Sequence, residues 1–343
     1  MAASSQTLAE RYSRQTLFQG IGPGGQEKLL RAHVAVVGVG ATGAAAASLL
    51  ARAGVGTLTL IDRDFVEESN LQRQVLFDEA DARDALPKAE AARRKIAGFN
   101  SEIDVRAQVA DLVPGNVHEL LRGAELVLDA TDNFETRYLL NDYAVEQGKP
   151  WIYAAAVGSY AVTMNIVPGE TACLACIFPE APGGAVETCD TAGILNTAVN
   201  LAGSLEVTEA LKWLVGAREK MRRTLISCDV WANEWSEIAT GTPRADCAVC
   251  GVRDFVHLRG EGRPHITLCG RNSVQIHERS RVVDFAEMEA RLAPHGLVKR
   301  NAMLLRFERG EITMTLFGDG RAMVQGTSDV AVARTFYARF VGS

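Results

Sequence analysis

The sequence predicts an α/β fold: a mostly parallel sheet with helices on both faces, followed by a small α+β domain. Three observations carry this. Apolar strand-like runs alternate with helix-like segments through the first 250 or so positions. The first run, HVAVVGVG, turns through glycines directly into a helix-forming stretch. After Cys250 the chain passes a polar linker, RGEGRPH, and its pattern changes to paired β-type runs between two helices.

Taken in order, HVAVVGVG reads as a buried parallel strand, and ATGAAAASLLARAG as a helix stopping at Gly54. TLTLID is the second strand. PKAEAARRKIAGFN is a helix with Pro87 in its first turn and Asn100 near its end. DVRAQVA, NVHELLRG and ELVLDAT read as strand, helix and strand. DNFETRYLLNDYAVEQG opens on a cap pair and closes at Gly148, and WIYAAAVGSYAVTMNIVPG is β-rich with a glycine at its bend. The repeated βαβ units imply a Rossmann-like sheet whose ligands sit beyond the carboxyl ends of the strands. The domain boundaries that follow are 1–254 and 262–343. In the second, the turn signals ERGE and GDG separate β runs, and DVAVARTFYARFVG is a final helix.

At 343 residues, 47% apolar and 23% charged, the chain has the balance of a globular protein. A net charge of −6 argues against nucleic acid as partner, since phosphate contacts need a basic face. No apolar run is long enough for a membrane span, and the N-terminus lacks the apolar core of a secretory signal. Seven cysteines, an odd number, point to a reducing, cytoplasmic setting, with metal or catalytic roles rather than disulfides.

The motif GVGATG places Gly38, Gly40, Ala41, Thr42 and Gly43 between strand and helix, where backbone N–H groups can cradle phosphate. Asp62, at the end of the second strand, suits ribose hydroxyls, with Asp64 just beyond it. So far NAD and ATP fit equally. ESNLQRQ then adds Asn70 and Arg73, ALPKAEA adds Lys88 at a helix start, RYSRQ adds Arg11 and Arg14, and TDN adds Asp132 and Asn133. A triphosphate needs cations to neutralise it, more so as pyrophosphate departs, and a strand-end aspartate beside phosphates suits Mg2+. Singly each cation could be a solvated surface charge; together they favour ATP.

CLAC and CAVC supply Cys173, Cys176, Cys247 and Cys250, two pairs able to close a tetrahedral thiolate site for structural Zn2+. Redox work by either pair is the lesser alternative. Cys189 stands apart in PEAPGGAVETCDTAG, just before a long apolar helix whose dipole would lower its pKa; an inert loop thiol is the other reading. Cys228 and Cys269 lie on apolar runs and read as small core residues. The six histidines show no ligand spacing.

In order and spacing, RYSRQ, GVGATG, the strand ending in Asp62, SNLQRQ, PK and DATDN resemble the ubiquitin-activating superfamily, most closely the ThiF/MoeB-type adenylyltransferases. The likeness runs from Arg11 to about Gly251. It implies ATP-dependent adenylation of the C-terminal Gly-Gly of a ubiquitin-like sulfur-carrier protein, with sulfur then arriving from a donor for thiamine or molybdopterin synthesis. It further implies that Gly40 and its neighbours hold phosphate and Asp62 binds ribose. Asn70, Arg73 and Lys88 would contact phosphates, and Asp132 would organise magnesium. The match to Arg14 would reach in from the second subunit of a homodimer, and Cys189 would attack the acyl-adenylate or join sulfur transfer. Many members carry a second glycine and an apolar residue where this chain has Ala41 and Thr42; alanine is small enough to keep the turn. Two other classes share parts of the pattern: an NAD-dependent oxidoreductase, which would leave SNLQRQ and the cysteine pairs unexplained, and a non-catalytic scaffold for a ubiquitin-fold partner.

Overall fold

The computed structural model describes residues 10–180, 192–260, 267–268, 273–276, 283–301, 303–318, 320 and 322–341. The chain divides into two units, Met1–Glu261 and Gly262–Ser343.

The first unit is built on an eight-stranded sheet in the order β3-β2-β1-β4-β5-β6-β7-β8. These strands are β1 His33–Val37, β2 Thr57–Asp62, β3 Asp104–Val109, β4 Leu126–Asp129, β5 Trp151–Val157, β6 Tyr160–Ile166, β7 Thr224–Asp229 and β8 Glu234–Ala239. β1 to β5 run parallel. Their apolar residues are covered on both faces, which is why β1, β2 and β4 read as continuous apolar runs rather than alternating ones. From β5 onward the neighbours are antiparallel, starting with a hairpin that turns at Gly158, where φ is +58°. β8 is exposed along its whole length.

Helices cover the two faces. On one side lie Ala41–Ala53, Lys88–Phe99 and the long helix Asn196–Val215, whose buried residues join one core with β1 and β2. On the other, Phe134–Gln147 and the segments carrying the cysteine pairs form a second core with β4 to β6. Pro87 sits at the N-cap of Lys88–Phe99 and Asn100 at its C-cap. NVHELLRG forms only one helical turn, Val117–Leu120. Strand order reverses at β1, whose chain continues to β2 on one side while β4 adds on the other. That leaves a crevice beyond the carboxyl ends of β1 and β4.

The second unit carries a six-stranded antiparallel sheet in the order β11-β12-β13-β14-β10-β9, made of β9 Thr267–Leu268, β10 Ser273–Ile276, β11 Leu297–Arg300, β12 Leu304–Arg309, β13 Ile312–Phe317 and β14 Ala322–Gln325. Helices Phe285–Leu292 and Val330–Phe340 are N-capped by Asp284 and Asp329. They pack Met288, Leu292, Ala333, Tyr337 and Phe340 onto Leu305, Phe307, Met314, Leu316 and Val324. No helix among the described residues is long and apolar enough to cross a membrane.

Candidate active site

The glycine loop joins β1 to the helix Ala41–Ala53. Gly38 has φ of +83°, a left-handed conformation that favours glycine, and a Cβ there would lie 2.7 Å from the Ala130 carbonyl oxygen. A Cβ at Gly43 would lie 1.9 Å from the Gly38 carbonyl oxygen, so helix and strand approach only because both positions are bare. Gly40 is the N-cap, and no side chain caps this helix. Its first N–H groups and its dipole therefore remain available for an anion. Ala41 is half-buried and Thr42 buried, so neither obstructs the turn.

Asp62 closes β2 beside this loop. Its Oδ2 accepts from Val39 N at 2.6 Å and its Oδ1 from Asp64 N at 2.7 Å. Burial pushes its carboxyl above the usual range, while the Lys88 ammonium and those two backbone donors pull it back. Lys88 is almost wholly buried, with Nζ 3.2 Å from Asp64 Oδ2, and its backbone N–H donates to the Asp64 carbonyl. The lysine is thus a held charge rather than a surface one. Asn70 is buried at the end of a short 3₁₀ turn, where its Oδ1 accepts from Glu67 N at 3.1 Å. Arg73 is half-buried and rests one Nη on the Ser69 carbonyl at 2.6 Å.

The TDN turn leaves β4 next to these groups. The carboxylate at the strand end is Asp129, and Asp132 follows in the exposed turn. Asn133 caps the helix Phe134–Gln147, accepting from Thr136 N at 2.8 Å. Asp129 is wholly buried and accepts from Thr131 N, Thr131 Oγ1 and Arg137 Nε at 3.0, 2.6 and 3.3 Å. Arg137 also donates to the Thr131 carbonyl at 2.6 Å, which fixes the turn carrying Asp132. Burial opposes the Arg137 charge, but Tyr153, Asp129 and Asp132 hold it above its usual range.

Arg14 does not join this group. Its neighbours are fastened to the far end of the helix Ala41–Ala53: Gln15 donates to the Ala53 carbonyl at 2.8 Å, and Tyr12 lies against Gly54. Thirteen helical residues separate that end from Gly40, about 20 Å at 1.5 Å per residue. An arginine side chain covers only part of that distance.

The four paired cysteines come together, their sulfurs all within 4.8 Å of one another. Cys173 to Cys176, Cys173 to Cys247 and Cys176 to Cys250 are 3.8, 3.6 and 3.3 Å. Four thiolates at about 2.3 Å from a central zinc would stand about 3.8 Å apart, so the set fits that ion. Burial drives the Cys173 and Cys250 thiols upward, with neighbouring sulfurs adding to it; a central cation relieves both effects. Cys228 is buried on β7. Cys189 and Cys269 lie outside the described residues.

Sequence reasoning missed Asp129, Arg137, Gln74 and Glu206. The first two belong to no motif of their own in the sequence. Glu206 sits on the helix Asn196–Val215, one turn past Gly203, where a Cβ would lie 3.2 Å from the Thr42 carbonyl oxygen. Neither of its oxygens has a partner, and burial, then Asp129, pushes it well above the carboxylate range.

Fold and site together define a doubly wound domain built to hold a phosphorylated nucleotide at the β1–β4 crevice. The particular family follows from comparison. Residues 12–249 match the ThiF family, and the chain belongs to it. It is 46% identical over 342 residues to the sulfur carrier protein ThiS adenylyltransferase of Bacillus subtilis, covering 98% of this chain and 100% of that protein. The sulfur carrier protein adenylyltransferase of Thermus thermophilus is 39% identical over 249 residues, covering 71% of this chain and 90% of that one. Among solved structures, E. coli MccB with ATP superposes with a TM-score of 0.60 at 27% identity, over 70% of this chain and 74% of that chain.

Proposed function

We propose that this protein adenylates the C-terminal Gly-Gly carboxylate of a ubiquitin-like sulfur carrier, using ATP and releasing pyrophosphate. The observation that carries the reading is the buried Lys88 ammonium held at the same sheet edge as an uncapped helix start. A dinucleotide needs the helix start alone; a departing pyrophosphate needs cations as well. The 46% identity to a ThiS adenylyltransferase across nearly the whole chain supports the same class. Neither an oxidoreductase nor a non-catalytic scaffold accounts for Lys88, Arg73 and the cysteine set together.

ATP lies across Gly38–Gly43 with its ribose toward Asp62. Asn70, Arg73 and Lys88 face the phosphates. Asp132, exposed at the crevice with Asp64 and Asn133 nearby in the chain fold, would hold Mg2+, which supplies charge neutralisation to the polyphosphate. The carrier's tail carboxylate is already ionised at neutral pH and needs no general base. It attacks the α-phosphorus, forming the acyl–O–P bond as the bond to the β-phosphate's bridging oxygen breaks, and the electron pair leaves with pyrophosphate. Positioning and charge stabilisation are the protein's contribution. A second subunit's copy of Arg14 completes the site in a homodimer. The four cysteines would hold a structural Zn2+ with no open position. A sulfur donor, or Cys189, then attacks the activated carbonyl, the acyl–O bond to the adenylate breaks, and AMP leaves with its electron pair.

The test is ATP–pyrophosphate exchange with purified carrier proteins, with the adenylated carrier read by intact mass. Alanine at Arg73 or at Asp132 should abolish exchange. Near-normal exchange in both variants would sink the assignment. Cys189→Ala protein should still exchange, and full thiocarboxylate production would remove Cys189 from the chemistry.

A further inference from the structure

We propose that Gln74 is a nucleotide-binding residue whose carboxamide contacts the phosphate chain in front of Gly40. The proposal rests on the reading of this crevice as an ATP site. Gln74 ends SNLQRQ, directly after Arg73. Its backbone is pinned, with its N–H donating to the Asn70 carbonyl at 2.9 Å and its own carbonyl accepting from Phe77 N at 3.1 Å. Asn70 is itself fixed by its bond from Glu67 N. The side chain is only 3% exposed, yet Oε1 has no hydrogen-bond partner. Its Nε2 lies 3.9 Å from the position a Cβ would take on Gly40, and among the described residues beyond that loop and helix no other atom comes within 4 Å of that point. The amide therefore stands at van der Waals distance from where a side chain at the N-cap would begin.

Two independent features meet here: an uncapped helix start, and a buried carboxamide that turns Nε2 toward it and leaves Oε1 unpartnered. A residue chosen only to fill space would be apolar, because a buried unpartnered amide oxygen is unfavourable. Nε2 is already the atom on the Gly40 side, so its N–H can donate to a phosphate oxygen while the helix N–H groups bind others. A neutral donor suits the part of the chain that stays behind. It binds without the strong attraction for leaving pyrophosphate that Arg73 and Lys88 exert.

The experiment uses the full-length protein and two substitutions of similar size, Gln74→Met and Gln74→Glu. ATP and adenosine affinities are measured by calorimetry, and KM for ATP by pyrophosphate exchange. Loss of one hydrogen bond to a charged group should weaken ATP binding about 10- to 100-fold in Gln74→Met. Gln74→Glu should be worse, since it sets a carboxylate against phosphate. Adenosine affinity should not move in either variant. The proposal fails if ATP affinity is unchanged in both variants, or if ATP and adenosine weaken in parallel, which marks a structural role. Failure of the unaltered protein to bind ATP would instead overturn the nucleotide reading on which the proposal stands.

Discussion

Replacing Arg137 by methionine tests whether the buried pair behind the TDN turn is what holds the site's floor. Asp129 is fully buried and the Arg137 side chain is 7% exposed. At 3.3 Å and an effective dielectric of about 20, the attraction is about 5 kcal/mol. Removing the arginine leaves Asp129 with Thr131 N and Oγ1 but no counter-charge. Breaking one side of a buried pair costs about 3–5 kcal/mol. Urea unfolding followed by tryptophan fluorescence reads this directly. Adding Asp129→Asn should recover part of the loss, because the penalty is the stranded charge and not the missing side chain. Burial already pushes Asp129 upward. Without Arg137 it rises further, so the stability gap between variant and parent should narrow as pH falls and the carboxyl takes a proton. Exchange activity should fall about 100-fold in the same variant, because the turn carrying Asp132 loses its tie to Arg137. A loss below about 1 kcal/mol, the range of a surface pair, or a loss independent of pH, would refute this account.

Four cysteine ligands should bring about one zinc per chain by elemental analysis, and Cys173→Ser should lower both zinc content and melting temperature. Asp142 accepts from His257 N and Leu258 N through one oxygen, and burial raises its pKa to about 6. The folded state therefore binds this proton more tightly than the unfolded chain, and the associated stability is lost as pH rises from about 4 through about 6. Asp142→Asn keeps an acceptor, so its stability relative to the parent should climb over that window and level off above it, as measured by melting across pH. Gly43→Ala should abolish ATP binding, because the new Cβ meets the Gly38 carbonyl at 1.9 Å. Gly98→Ala, inside the helix Lys88–Phe99 with nothing within 4 Å, should stabilise by about 0.4–1 kcal/mol in urea unfolding.

How much of this was legible depended on whether the signal was local. The strand–glycine–helix unit and Asp62 could be read because each rests on a few adjacent residues whose backbone needs are specific. The cysteine pairs could be read because two equal spacings rarely arise otherwise. Lys88 was placed in the site, but its burial against Asp64 depends on how the helix Lys88–Phe99 docks beside β2. Gln74 carries no local signature, since a glutamine directly after an arginine looks solvated. Arg137 carries no local signature either, because its pairing with Asp129, eight residues earlier, forms only once β4 and the helix Phe134–Gln147 are folded. NVHELLRG overstated its helix, which stops after one turn at Leu120. β8 shows no alternation, because both its faces are open. Tertiary context, not composition, decides each of these.

Arg14 poses the remaining geometric problem, and it yields a sharp test. Its segment is fastened at the end of the helix Ala41–Ala53 opposite the phosphate loop, about 20 Å away. If it contributes to catalysis, the site it serves belongs to another copy of the chain. A closed two-fold pair exchanges the same element both ways, so each site would hold Asp132 from one chain and Arg14 from the other. Arg14→Ala and Asp132→Ala proteins should each be inactive alone. Mixed in equal amounts and allowed to exchange subunits, about half of the dimers become heterodimers. In each, one site carries both lesions and the other carries neither, so exchange activity should recover to about a quarter of the parent. An arginine acting within its own chain gives a different result, because every site then retains one lesion whatever its partner. No recovery on mixing, with subunit exchange verified by mass spectrometry, would place Arg14 outside the shared site.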